Sequence, residues 1–419
     1  MAYRAEIIGV GTELLLGDIV NTDAQTVSLA LSELGINVYY HTVVGDNPER
    51  LRQAVAIAKE RADVIITTGG LGPTYDDLTK QTLAECFGLK LALDAAQLKK
   101  IQGYFDRLGK TMTKNNEQQA WLPEGCTVLE NDWGTAPGCA FCADGVHVVM
   151  LPGPPRECVP MMRERAMPYL AQLSDGVIAS HNIHIIGIGE SAVEDQLRTV
   201  AERMENPTLA PYAKEGEVLL RVTGKAETRE AADAMTLPVI RQVKELFGQY
   251  VYGVDVQSLE HAVVELLKKH GLTLATAESC TGGLVSGKIT NVPGASDCYV
   301  GGVCSYTNAL KESLLGVSRR TLERDGAVSR TCAEQMARGA AERLGADIGV
   351  SVTGIAGPGG GTAEKPVGTV YLAVYCRGIN WCKCIHQSNG DRARVRHIAA
   401  LNALDMVRRF VENNFDTKE

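Results

Sequence analysis

The pattern that most restricts how this chain can fold is an alternation of short apolar runs with amphipathic stretches of helical period. AEIIGVG (5–11), INVYYHTVVG (36–45), DVIITTGG (63–70) and HVVMLPG (147–153) are short apolar runs that read as strands. Between them, NTDAQTVSLALSELG (21–35) and NPERLRQAVAIAKERA (47–62) repeat apolar residues at three- and four-residue spacing. Asn21 or Thr22 caps the first helix and Gly35 stops it, while Pro48 occupies the first turn of the second. Further helices are expected near 77–87, 95–107 and 114–121, and LPGPPRE turns the strand ending at 151 into another helix. Strands separated by helices pair through crossovers, so this part predicts an α/β layer fold.

From residue 172 the pattern changes. A strand and helix (181–204), a hairpin turning at Glu215–Gly216, a long helix (228–247) and a short strand ending at Gly253 make a small α+β segment. A third α/β unit then runs to the end. The expected division is 1–171, 172–254 and 255–419, and 419 residues are enough for two or three cores.

The formal net charge of −8 disfavours a protein whose main partner is nucleic acid or a membrane surface. No apolar run is long enough to span a bilayer, and MAYRAEIIGVGTE reads as a first strand with no secretory leader, so a cytoplasmic protein is expected. The twelve cysteines are scattered. Cys139 and Cys142 form a CxxC inside a strand-like run with no second ligand pair nearby, which predicts reduced core thiols, not a zinc site.

TTGGLGPTYDD (67–77) concentrates chemistry in the first domain. Gly69, Gly70 and Gly72 let backbone N–H groups approach an anion, and Thr74 leads towards a helix start. Asp76 and Asp77 would repel a phosphate there unless a divalent metal bridges them; alternatively they cap the helix. Glu13, Asp18, Asn21 and Asp23 follow the first strand, and the loop containing Gly153 follows another. Loops at one carboxyl edge of a parallel sheet converge, so these three suggest a phosphate-ester pocket with a metal. GVG (9–11) and GIGES (187–191) lack the third glycine of a dinucleotide fingerprint.

In the third domain LATAESCTGGLVSG (274–287) turns from strand to helix through small hydroxyl and thiol residues. Ser279 reads as a nucleophile or as a helix cap. Tyr306 at a strand end and Lys311 on the next helix read either as a half-buried aromatic and a solvated surface charge or as the rest of a hydrolytic set without histidine, in which a desolvated lysine is a base near neutral pH. Cys280 competes as nucleophile, but only His386 and His397 are available in this domain to activate it. The turn Thr281, Gly282, Gly283 is a source of oxyanion or phosphate N–H groups. The glycine-rich loop from 354 to 361 suits close ligand approach, and Arg392, Arg394 and Arg396 at a helix start suit a phosphate.

GTELLLGDIVNTDA, GGLGPTYDD and LPGPPRE closely resemble the molybdopterin-binding-like, three-layer α/β domain at the front of the CinA family, over about residues 3–170. AESCTGG, YTNALKESLLGV, DGAVS, TGIAGPGGG, EKPVGTV and GDR resemble that family's C-terminal α/β deamidase domain, over about 257–415. The resemblance implies two hydrolyses. The first domain would cleave ADP-ribose to AMP and ribose 5-phosphate with a divalent ion (Mg, Co or Mn). The last would convert nicotinamide mononucleotide to nicotinate mononucleotide and ammonia, with no cofactor. The family's Ser/Tyr/Lys trio falls on Ser279, Tyr306 and Lys311. Gly354, Ile355, Ala356, Gly357 and Arg392 would hold the ring and phosphate, and Gly69, Gly70, Gly72 and Thr74 the pyrophosphate. Asp76 and Asp77, with Glu13 and Asp18, would supply acidic metal or water ligands. The middle segment resembles the family's KH-like domain but has no GXXG loop, which predicts a spacer with no direct nucleic-acid contact. A homodimer is implied, and no membrane partner. Two rival expectations stand: a non-catalytic binding protein serving competence or recombination, and a deamidase carrying an inactive pterin- or nucleotide-binding first domain.

Overall fold

The alternation at the front of the chain folds into a six-stranded sheet. Its strands are β1 (Arg4–Val10), β2 (Asn37–Val44), β3 (Val64–Thr68), β4 (Thr127–Leu129), β5 (Gly138–Ala143) and β6 (Val146–Leu151), in the order β2-β1-β3-β6-β5-β4. β2, β1, β3 and β6 are parallel, while β5 and β4 add on antiparallel. Neighbouring residues of one strand feed opposite cores, as the two-residue period requires. Ile65 and Val148 join one apolar cluster, Ile66 and Val149 the other. Helices cover both faces, giving three layers. Gly9 pairs with Thr68, and Thr68 with Leu151. The loops after β1, β3 and β6 therefore leave the sheet side by side.

This computed structural model describes residues 3–173, 176–201, 204–387 and 391–416. By compactness the chain forms two units, Met1–Ser180 with Thr223–Thr236 and His181–Val222 with Leu237–Glu419. Among the described residues no helix is long and apolar enough to cross a membrane.

Three local expectations shift. The helix expected from 77 begins at Thr79, because the Asp77 carboxylate turns back to accept from the Thr74 N–H at 2.8 Å. Lys114–Ala120 is a 3₁₀ segment in which Thr113 and Asn116 cap each other. The helix after LPGPP carries a π turn at Met162–Ala166 between two α segments, each with a proline that has no N–H to give.

The middle sheet comprises β7 (Val177–Ile186), β8 (Thr208–Lys214), β9 (Glu217–Ala226) and β10 (Val251–Val254), in the order β8-β9-β7-β10. The hairpin turns where expected, with Gly216 at φ 85°. The third sheet comprises β11 (Leu274–Glu278), β12 (Tyr299–Cys304), β13 (Ile348–Gly354), β14 (Thr369–Cys376) and β15 (Ile379–His386), in the order β12-β11-β13-β14-β15. β12, β11 and β13 are parallel, so the turn after β11 opens at the same edge as the loops after β12 and β13. Helix Arg330–Leu344 covers one face through Met336 and Ala340; helices Leu259–Lys269 and Arg392–Asn414 cover the other through Val264 and Leu404.

Candidate active sites

At the carboxyl edge of the third sheet a serine and a lysine meet. Lys311, carried on helix Asn308–Leu315, is only 1% exposed. Its Nζ lies 2.9 Å from Ser279 Oγ, 2.7 Å from the Ser305 carbonyl oxygen and 3.4 Å from that of Tyr306. Burial lowers the Lys311 pKa, since desolvation penalises the ammonium. The amino group donates to all three oxygens; once it gives up a proton, two N–H groups remain for the carbonyls and its lone pair is left to the Ser279 hydroxyl. Cys280 takes no comparable part. Burial pushes its thiol up to about 11, so the thiolate is scarce near neutral pH.

The turn after Ser279 differs from expectation. The Gly282 N–H donates to the Ser279 carbonyl at 3.2 Å, and the Gly283 N–H to Glu278 Oε2 at 3.0 Å. Neither glycine N–H is free to bind a ligand, because both close the turn itself. Thr281 is fully buried, and its hydroxyl and that of Ser305 have no partner among the described residues.

Tyr306 and Arg392 meet across the site. Arg392 donates to the Tyr306 hydroxyl at 3.1 Å and to the Gly357 carbonyl at 2.8 Å. The tyrosine is thus tied to Lys311 through its backbone carbonyl, while its 60% exposed side chain faces the arginine. Ile355 pairs with β14 through the Thr369 carbonyl, Ala356 is buried, and Gly357 turns at φ 85°. The other two arginines make different contacts. Arg396 holds the carbonyls of Cys280 and Thr281, and Arg394 faces Glu215 at 3.9 Å. His386 is bonded to Thr369 and His397 to the Glu215 carbonyl. The Ser388–Gly390 part of the arginine motif lies outside the described residues.

In the first domain the three loops line one cleft of about 520 Å³. Gly69, Gly70, Gly72, Thr74 and Gly153 all contribute to its wall. Gly69 and Gly70 sit at φ 101° and 68°, and a side chain on either would run into Val10 or Thr79. A Cβ on Gly153 would come within 3.0 Å of Gly69 Cα, so the two loops touch backbone to backbone. Glu13, Asp46, Asp76, Asp77 and Glu157 bring carboxylates to the same cleft. Asp77 is spent partly on Thr74, and Asp46 on the Thr12 N–H and hydroxyl. Asp76 Oδ1 is buried without a partner among the described residues.

Asp18 does not belong to this cleft: it lies exposed beyond the short helix Thr12–Leu16, its N–H bonded to the Glu13 carbonyl. Asn21 is a helix cap, and Asp23 is buried, its carboxyl raised to about 6 by desolvation. Among the described residues no three acidic, cysteine or histidine side chains converge into a metal cage. The donor set still fits a hard cation that takes one or two carboxylates and completes its shell with water and substrate phosphate. The unpartnered Asp76 oxygen, with Glu13 in the same cleft, provides that kind of donor. Cys139 and Cys142, three apart on β5, are buried and exposed respectively, and all cysteines are free thiols.

Residues 6–172 match the probable molybdopterin binding domain, 180–253 the KH domain of damage-inducible protein CinA, and 256–411 the CinA C-terminal domain. A CinA-like protein of Dictyoglomus thermophilum is 50% identical over 98% of this chain and 100% of its own. The chain belongs to the CinA family. A putative competence-damage inducible protein of Clostridium tetani is 47% identical over 97% of this chain and 99% of its own. The crystal structure of competence/damage inducible protein CihA from Agrobacterium tumefaciens shares 44% identity over 36% of this chain and 91% of its own, with a TM-score of 0.35.

Several residues of this CinA-family chain matter at the sites yet went unread in its sequence. Glu278, 1% exposed, closes the turn next to Ser279, and an acid just before a helix start was the available signal. Glu157 lines the first cleft with its carboxylate bonded by Asn131 at 2.8 Å. Lys80, 5% exposed and outside the cleft wall, supports it by donating to the Gln118 carbonyl and to that of Gln119, a wall residue, and burial lowers it to about 8. A lysine on an amphipathic helix reads as a solvated charge, so no signal pointed to it.

Proposed function

We propose that the third domain is a nucleotide amidase that converts nicotinamide mononucleotide to nicotinate mononucleotide and ammonia. The observation that carries this reading is the buried Lys311 Nζ at 2.9 Å from Ser279 Oγ. Ser279 Oγ attacks the carboxamide carbon as its proton passes to Lys311. The tetrahedral adduct collapses, and Lys311 returns the proton to the departing nitrogen, releasing ammonia and leaving an ester on Ser279. Water then attacks that ester, its proton passing to Lys311, and the acid product leaves as Ser279 is restored. Arg392, held by Tyr306 and Gly357, supplies a charge for the substrate phosphate.

In the first cleft we propose hydrolysis of ADP-ribose-type pyrophosphates, with ADP-ribose the expected substrate. A bound Mg, Co or Mn ion would offset the pyrophosphate charge and polarise its phosphoryl oxygens. The chain's own part is to cradle the pyrophosphate on Gly69–Gly72 and to offer Asp76 and Glu13 as cation ligands. A second reading, nucleotide binding without turnover, is favoured by the use of Asp77 to close its own loop.

Product analysis tests both. The purified chain is given nicotinamide mononucleotide or ADP-ribose, with added metal or with chelator. The expected outcome is ammonia in both conditions and AMP only with metal. No ammonia under either condition rejects the amidase; binding of ADP-ribose without AMP selects the second reading of the first cleft.

A further inference from the structure

The turn that presents Ser279 has nearly every backbone polar group committed. Arg396 donates through Nε to the Cys280 carbonyl at 3.1 Å and through Nη2 to the Thr281 carbonyl at 2.7 Å. The Ser279 carbonyl accepts from Gly282 N–H at 3.2 Å. Glu278, without a cation beside it, accepts from the N–H groups of Gly283, Val285 and Ser286 at 3.0, 3.0 and 2.8 Å, and from the Ser286 hydroxyl at 2.6 Å. Four donors on two carboxylate oxygens satisfy the buried side chain by hydrogen bonds alone among the described residues. Among the described residues, the N–H groups of Cys280 and Thr281 alone in this turn have no partner in the backbone or in another residue's side chain.

In a trans peptide the carbonyl and the N–H point opposite ways. Arg396 therefore fixes the Thr281 N–H from behind, through the Cys280 carbonyl of the same peptide plane. The Gly282 bond to the Ser279 carbonyl fixes the Cys280 N–H in the same way. We infer that the N–H groups of Cys280 and Thr281 form the oxyanion hole for the tetrahedral adduct on Ser279, and that Glu278 and Arg396 are the positioning residues that hold it. This rests on the amidase reading and goes beyond it. It moves the oxyanion role off Gly282 and Gly283 and gives Arg396 a task distinct from the phosphate. As the carbonyl oxygen of the substrate gains charge, two preset donors meet it with no reorganisation of the turn.

The test uses the full chain with Arg396→Met, Arg396→Lys and Glu278→Gln. Two rates are read: ammonia release from nicotinamide mononucleotide, and covalent labelling of Ser279 by a fluorophosphonate, whose phosphoryl oxygen needs the same hole. Misplacing the donors by about 1 Å is expected to lower kcat and the labelling rate by about 10²-fold in Arg396→Met. KM and the pH midpoint of the rising limb stay at wild-type values, and Arg396→Lys recovers part of the loss. Glu278→Gln is expected to act in the same direction; if it fails to fold, the Arg396 pair decides. Folded Arg396→Met with wild-type kcat and labelling overturns the inference, as does a change confined to KM. Labelling that slows in the variants while no form of the protein releases ammonia upholds the hole and rejects the substrate assignment. Wild-type Ser279 that the probe never labels overturns both.

Discussion

The two candidate sites differ in how much of their chemistry the chain completes by itself. In the third domain the Ser279 hydroxyl, the Lys311 amine and the backbone turn are assembled, buried and joined by hydrogen bonds. In the first domain the glycine loops form a wall and carboxylates line it, but no three of the described ones converge and the Asp76 oxygen is left without a partner. Covalent catalysis by a serine needs its proton acceptor in place before substrate arrives, and so leaves its signature in an empty protein. A site that works by holding phosphates and a cation is completed by what it binds. The contrast predicts that variants at one site leave the other untouched.

The largest effect is expected from Ser279→Ala, which should cut ammonia release by at least about 10⁴-fold while AMP formation from ADP-ribose continues at the wild-type rate. Parallel loss of both activities would break the contrast. Asp76→Asn should do the reverse, lowering metal-dependent AMP formation by at least about 10-fold with ammonia release unchanged; calorimetric titration with the metal should show weakened binding. Gly69→Ala places a side chain at φ 101° against the Val10 carbonyl and is expected to lower stability by about 1–3 kcal/mol, read in a denaturant titration. The smallest effect is expected from Tyr306→Phe. Its hydroxyl is exposed and bonded to Arg392, so KM for nicotinamide mononucleotide should rise a few-fold with kcat nearly constant. A kcat collapse instead would place the hydroxyl in proton transfer.

Much of this was legible because strand and helix periods are written locally. β1, β3 and β6 and the helices between them follow from apolar spacing, and the convergence of their loops follows from parallel pairing. The Ser279 turn was legible as a strand-to-helix corner, and Lys311 as its partner only through the family resemblance. Helix phase decides which arginine faces where, and spacing alone did not apply it to the site. Arg392 and Arg396, four apart, share a face and both reach the third-domain site, by different contacts, whereas Arg394 points to Glu215. Side chains that fold back on their own loops were not legible. Asp77 bonding Thr74 delays the helix start to Thr79, and Glu278, the last residue of β11, folds its carboxylate onto the turn that follows.

The pairing of Ser279 with Lys311 is tested most directly by the pH dependence of ammonia release. Lys311 acts as a base only when neutral, and burial lowers its pKa, so the neutral fraction grows as pH rises through a midpoint below the ordinary 10.5. With chelator present, kcat/KM for nicotinamide mononucleotide should climb along that limb. In Lys311→Met the limb should vanish, with the plateau lower by about 10²–10⁴-fold. A folded Lys311→Met protein that keeps the wild-type limb and rate would contradict the assignment of Lys311 as the base.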